Sequence, residues 1–255
     1  NYFDEGIGVP LWPEKWPIKA LERRYNKIGH KAFMQEYQNI PFIEIGRPVF
    51  DPKYTYEILP VLDTIDDWKI YVPVAEWVFG FIGLDFAKGS SAGDFQAGII
   101  RDAKGKLLAQ FNEHCSQAEF ARKIDKIVVY LKDFFIVPEN NYALAFLLAA
   151  QDYEWFGKIY RQMKMDKIVQ QETEIVGFNT NAKTKPLIIE QLEAKYKTGI
   201  FEITDELKEQ IDYYYNDDRG GMNAISPYHD DLIIADALSI QAMLHGLDGP
   251  ILIVF

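Results

Sequence analysis

The run Trp77-Val-Phe-Gly-Phe-Ile-Gly-Leu-Asp85-Phe is apolar at odd and even positions alike, so as a strand it has no face to turn to water. Such a strand belongs in the middle of a sheet covered on both sides, which predicts an α/β architecture with helices on each face. The run closes on a carboxylate, Asp85, ahead of the turn-forming stretch Lys88-Gly-Ser-Ser-Ala-Gly93. Two further strands are predicted over 94–101 and 106–113. The polar, glycine-containing Asp102-Ala-Lys-Gly105 joins them as hairpins are joined, so three strands in series form an antiparallel meander.

A helix is predicted over 116–131, with Ser116 as N-cap, Glu119 completing a capping box, and an apolar stripe of Phe120, Ile124, Ile127 and Leu131. A short apolar strand over 133–138 ends at Glu139, followed by a helix over 141–151 and a strand over 156–161. This β-α-β-α-β series after a meander predicts a mixed five-stranded sheet, three antiparallel strands continued by two parallel ones. Further on, 165–176 reads as a polar hairpin, 184–197 and 204–214 as helices, and 216–221 as a loop. The segment 230–245 reads as a helix apolar over most of its surface, hence buried.

The first seventy-odd residues differ. Trp12, Pro13, Trp16 and Pro17 punctuate a turn before a helix over 18–38, and Pro41, Pro48, Pro52, Pro60 and Pro73 keep the chain extended. The expected organisation is an N-terminal helical and extended strap over 1–75 and a main domain over 76–255. The first residue, Asn1, is followed by no signal-peptide pattern, so the chain reads as an excised piece of a longer polypeptide. The apolar run 251–255 either adds an edge strand or is buried against a neighbour.

With 48% hydrophobic and 15% aromatic residues in 255, the chain has ample side chain for one sizeable core and is not intrinsically disordered. Its net charge of −11 rules out a global positive field, so contact with nucleic acid must rely on local basic patches or metal ions. The single cysteine, Cys115, excludes an internal disulfide and any zinc centre with two cysteine ligands. The longest apolar stretches, such as 143–150, fall well short of the roughly 20 residues a bilayer needs, so no membrane partner is expected.

Three acidic positions sit where an apolar element meets a loop: Asp85, Glu139, and the pair Asp230 and Asp231. Taken singly, each has an ordinary reading: Asp85 as a turn residue, Glu139 and the pair as acids favoured by a helix N-terminus. Taken together, adjacent strands ending in Asp85 and Glu139 would share one end of the sheet, and the buried helix starting at Asp230 can add a third acid. Converging carboxylates repel unless a divalent cation sits among them, and oxygen-only ligands suit Mg²⁺ or Mn²⁺. Two such ions can drive in-line hydrolysis of a phosphodiester. Local basic candidates for phosphate contact are Lys88, Lys183, Lys185, Arg161 and Arg219. His229 is an auxiliary candidate beside the acid pair, with a helix-start hydrogen bond as its ordinary role.

The order Gly83-Leu-Asp85-Phe-Ala-Lys-Gly89 … Gly93-Asp94, Pro138-Glu139-Asn140-Asn141, Gly177-Phe-Asn-Thr-Asn-Ala-Lys-Thr184-Lys185-Pro186 and His229-Asp230-Asp231-Leu … Ala235-Asp-Ala237-Leu resembles the nuclease domain of the large terminase subunit of tailed bacteriophages. Leu11-Trp-Pro-Glu-Lys-Trp16 … Phe33 … Tyr37-Gln-Asn … Pro41 resembles the stretch joining that family's ATPase motor to its nuclease. The resemblance implies a ribonuclease-H-like fold and metal-dependent cutting of concatemeric viral double-stranded DNA during genome packaging. It places Asp85, Glu139, Asp230 and Asp231 on the acidic metal-binding motifs, with two Mg²⁺ or Mn²⁺ ions. Asp231 is favoured over Asp230 as the direct ligand, because Ala235, Leu238 and Ala242 continue its helical face. Asp94 also falls on a family position and reads as a strand-capping residue. The implied partners are the ATPase motor, a portal ring and the small terminase subunit, in the cytoplasm of a bacterial host.

The chain departs from the intact family member in lacking any G-x-x-x-x-G-K-[ST] phosphate loop, so it should not hydrolyse ATP by that route. A Holliday-junction resolvase or transposase core would show a similar acidic set but not the strap with Trp12 and Trp16. An actin- or sugar-kinase-type ATPase would need a second phosphate turn, for which Gly220-Gly221 is a poor candidate. The non-enzymatic alternative is a portal-docking module with a vestigial acidic site.

Overall fold

The computed structural model describes residues 13–21, 23–24, 47–86, 95–165, 172–198, 201–216, 221–225 and 228–246. The chain forms two compact units, Asn1–Gly46 and Arg47–Phe255. In the first, a turn at 13–15 precedes helical residues 18–21 and 23–24, and the Ala20 N–H donates to the Pro17 carbonyl at 2.8 Å. Trp12 and the rest of the helix expected over 18–38 lie outside the described residues.

The second unit is organised by a six-stranded mixed sheet. Its strands are β2 (Asp63–Ile65), β3 (Trp68–Ile70), β4 (Phe79–Phe86), β5 (Phe95–Arg101), β6 (Leu107–His114) and β7 (Asp133–Pro138), in the order β2-β3-β6-β5-β4-β7. The meander β4-β5-β6 is antiparallel and β7 runs parallel to β4, as expected. The β5–β6 turn closes through Gly105, which adopts φ +87.

Three expectations are corrected: the strand count, the strand over 156–161 and the start of the hairpin after it. The sheet has six strands rather than five, because the hairpin β2–β3 adds two at its β6 edge through Lys69↔Gln110 and Ile70↔Ala109 while the strand expected over 156–161 does not join it. Residues 47–75, which carry this hairpin, lie in the unit Arg47–Phe255. Beyond β7, the strand expected over 156–161 is replaced by a 3-10 turn, Glu154–Lys158, and a single bridge between Ile136 and Ile159. The chain then leaves the sheet to form the hairpin β8 (Arg161–Met165) and β9 (Glu172–Val176), which satisfies its backbone groups without the sheet. The hairpin thus starts four residues before the predicted 165, the difference between 165 and 161.

Alternation along β4 divides the unit into two cores. Ile82, Leu84 and Phe86 pack with α1 (Gln117–Val128) and α2 (Leu144–Ala150), around Phe120. The α1 N-terminus forms as predicted, with Ser116 Oγ accepting from the Glu119 N–H at 3.1 Å. Phe81 and Gly83 face the other way, toward α3 (Thr184–Tyr196), α4 (Asp205–Asp212) and the buried α5 (Asp231–Gly246). Small strands complete this side: β1 (Tyr56–Ile58) pairs with β10 (Phe201–Ile203), and β11 (Tyr214–Asn216) with β12 (Met222–Ala224). None of the described helices is long and apolar enough to cross a membrane.

Two contacts fix α5 against the sheet. A Cβ at Gly83 would lie 2.0 Å from the Ala235 carbonyl oxygen and 2.2 Å from the Ser239 nitrogen, so only glycine lets helix and strand touch backbone to backbone. This bears out the face of α5 read from Ala235 and Leu238. Arg101 of β5 reaches Asp236 through Nε to Oδ1 at 2.6 Å and Nη2 to Oδ2 at 2.8 Å, with both side chains fully buried.

Candidate metal centre

The parallel register of β4 and β7 sets Gly83 opposite Val137 and Leu84 opposite Pro138, and the Glu139 N–H donates to the Leu84 carbonyl at 2.8 Å. Asp85 and Glu139 are therefore neighbours at the C-terminal end of the sheet. Each is two residues beyond a position that faces α5, Gly83 and Val137, so both carboxyls rise on that face. Both are buried, at 8% and 7% exposure. Burial first, then the charges of Glu139, Asp231 and Asp230, push the Asp85 carboxyl well above the usual carboxylate range.

The third element is the start of α5. Asp230 precedes the helix, its carbonyl accepting from the Ile234 N–H at 2.9 Å, and Asp231 is in the first turn. The free Leu232 N–H is capped from outside, donating to Gln210 Oε1 at 2.9 Å, which leaves both acidic side chains for other partners. Asp230 Oδ2 takes Lys185 Nζ at 2.9 Å. The Asp231 carboxyl is raised by burial, then by Asp230, against the lowering influence of His229, with a further upward push from Glu139.

The four acids read from the sequence thus share one end of the sheet and interact electrostatically. Among the described residues, no three or more His, Cys, Asp and Glu side chains are already set to hold a metal ion. The Lys185 ammonium pairs with Asp230, while the Asp85 carboxyl stays crowded by Glu139, Asp231 and Asp230. Chemically the donor set fits a hard divalent cation. It is all oxygen, and its two innermost carboxyls are buried beside like charges.

The remaining candidates divide. Lys185 lies at the acids, half-buried, with its ammonium 5.7 Å from the Tyr214 ring centroid. Lys183 is exposed where α3 begins, two residues away. His229 is exposed beside Asp231, its ring 6.2 Å from that of Phe95. Arg161 is turned to its own hairpin, pairing with Glu174 at 2.8 Å over the Phe156 ring. Lys88, Asp94 and Arg219 lie outside the described residues.

Sequence reasoning passed over the residues that hold Glu139. Gly177, at φ +87, lets the chain pass so close to Pro138 that a Cβ would sit 2.8 Å from its carbonyl oxygen. The Phe178 N–H then donates to that same carbonyl and the Asn140 N–H to Phe178, each within 2.8 Å. This docking brings the Thr180 hydroxyl to Glu139 Oε1, where Asn141 Nδ2 also donates at 3.0 Å. The one sequence signal for it is the glycine before Phe-Asn-Thr-Asn.

No protein-family model matches the chain, and no curated protein matches it. Among solved structures it is similar to the large terminase nuclease of the thermophilic phage G20c, with TM-score 0.56 and 15% identity over 76% of this chain and 97% of that one. The same nuclease with bound magnesium gives TM-score 0.54 and 17% identity over 78% and 98%. The large terminase nuclease domain of Thermus phage P74-26 gives TM-score 0.55 and 16% identity over 76% and 94%. The mixed sheet, the helices on both its faces and the near-complete coverage of those domains give this chain the ribonuclease-H-like fold of the large terminase nucleases.

Proposed function

We propose that the chain is a divalent-metal-dependent endonuclease that cuts double-stranded viral DNA during genome packaging. The observation that carries this reading is the buried Asp85–Glu139 pair facing Asp231 at one end of the sheet, an arrangement whose charge calls for a cation. The fold it shares with terminase nucleases, one of which binds magnesium, supports it. Asp85, Glu139 and Asp231 would hold Mg²⁺ or Mn²⁺, as two ions, and Asp230 would act through Lys185. The bound ions supply Lewis-acid activation of water and neutralise charge at the scissile phosphate.

The chain's own residues do the rest. Asp85 would be a direct ligand of the ion, and Glu139 is kept in place by Thr180 and Asn141. Lys185, anchored by Asp230, and Lys183 at the start of α3 offer positive charge to the DNA backbone. Contacts of this kind read phosphate rather than base edges, so sequence specificity is low. With a net charge of −11, binding by this chain alone is weak, which fits a nuclease delivered to DNA by an attached motor. In that setting residues 1–75 join the ATPase motor to the nuclease, the portal ring and small subunit complete the machine, and the cytoplasm of an infected bacterium is its place of work.

The test is nicking of supercoiled plasmid in Mn²⁺. Asp85→Asn should abolish cutting while its circular dichroism spectrum stays that of the wild type. Cutting by this variant at the wild-type rate would overturn the proposal.

A further inference from the structure

We infer that Thr180 is a positioning residue for Glu139, acting with Asn141 to fix the carboxylate oxygen Oε1 and so present the other oxygen to a cation. The inference rests on the metal-dependent reading of the site and adds to it residues outside the acidic set. Both donors converge on the same atom: the Thr180 hydroxyl donates to Glu139 Oε1, and Asn141 Nδ2 donates to it at 3.0 Å. Neither donor takes Oε2. Because the carboxylate is buried at the end of β7, these two neutral donors set its rotamer.

The placement of Thr180 is over-determined. Asn141 Nδ2 also donates to the Thr180 carbonyl at 2.6 Å, so one amide ties the loop backbone and the Glu139 carboxylate together. Upstream, Asn140 Nδ2 donates to the Val176 carbonyl at 2.6 Å and the Gly177 N–H to the Tyr160 carbonyl at 2.8 Å. Downstream, Thr184 Oγ1 donates to the Asn179 carbonyl at 2.7 Å, and Asn181 Oδ1 accepts from the Lys183 N–H at 2.9 Å. The loop is thus clamped to β7 on one side and to the start of α3 on the other. A hydroxyl held this firmly against a buried carboxylate is the outer support that ligating carboxylates need, and losing such support typically weakens metal binding about 10–100-fold.

The experiment measures Mn²⁺ affinity of the full chain from the loss of the free-ion electron paramagnetic resonance signal. Thr180→Val keeps the shape and removes the donor, and should weaken Mn²⁺ binding about 10-fold or more. Thr180→Ser restores the hydroxyl and should return to within about 3-fold of wild type, which a purely structural role for the methyl group would not produce. Asn141→Ala, in an exposed position, should also weaken binding and gives a second readout if the valine variant does not fold. Wild-type affinity in Thr180→Val or Asn141→Ala, or no recovery in Thr180→Ser, would overturn the assignment alone. Mn²⁺ binding by the wild type that Asp85→Asn leaves unchanged, or no binding at all, would overturn the metal reading itself and this assignment with it.

Discussion

Asp236 and Asp231 stand on the same helix and look toward the same sheet, yet their surroundings are opposite. Asp236 is fully buried and fully compensated: two Arg101 nitrogens, the Tyr196 hydroxyl at 2.7 Å and Ser239 Oγ at 3.1 Å all donate to it. Arg101 in turn donates to the Gly105 and Glu202 carbonyls and lies 4.2 Å from the centroid of the Phe201 ring, so its guanidinium is satisfied as well. At the start of the helix Asp231 is raised by burial and by its acidic neighbours Asp230 and Glu139, and Asp85 by burial and then by Glu139, Asp231 and Asp230. A buried carboxylate supplied with donors is a structural joint. Buried carboxylates supplied with one another are incomplete without a cation, and that difference separates fold from site.

The comparison can be broken most severely at the joint. Asp236→Asn leaves Arg101 buried without its counter-charge and should cost about 3–5 kcal/mol, measured as a lowered urea midpoint. An unchanged midpoint would mean that the pair does not hold α5. At the site the sign reverses: without divalent ions, Asp85→Asn should raise stability by about 1–3 kcal/mol, because it removes a carboxyl crowded by acids. A destabilised Asp85→Asn would put Asp85 in the same class as Asp236.

A pH series sharpens the contrast. The folded-state pKa values of Asp85 and Asp231 are raised, so between the ordinary carboxylate range near 4 and those raised values the folded protein holds protons that the unfolded chain has released. Stability in the absence of metal is therefore fully present at the acid side of this window and falls as pH climbs through it. Thermal midpoints in chelator should be higher at pH 5 than at pH 8, and Asp85→Asn should flatten part of that slope. A midpoint that rises with pH, or a slope untouched by the substitution, would contradict the pairing. The smallest effect is expected at Lys185: Lys185→Gln should weaken DNA binding across sequences and lower the salt slope by about 1, as loss of one phosphate contact does. An unchanged slope would confine Lys185 to neutralising Asp230.

Much of the fold was legible because β4 to β7 and α5 carry long apolar runs whose lengths and ends follow from burial. The hairpin β2–β3 was not, since three-residue strands between Pro60 and Pro73 carry no periodicity. The strand expected over 156–161 was apolar enough, but the chain uses it for one bridge and then pairs with itself. For the site, Asp85 and Glu139 were legible as strand ends, and their adjacency followed from a parallel pairing whose register only tertiary structure fixes. Arg101 and Asp236 look unremarkable in sequence because their partnership spans 135 residues. Thr180 stood in the Gly177-Phe-Asn-Thr-Asn motif, but its role at Glu139 was not legible for a related reason: it depends on a loop returning to β7 through Gly177.

The most direct test of the account is a crystal of the protein soaked in Mn²⁺ and examined by anomalous diffraction. It should show Mn²⁺ bound by Asp85, Glu139 and Asp231. Saturating Mn²⁺ that leaves no anomalous peak among these carboxylates would contradict it.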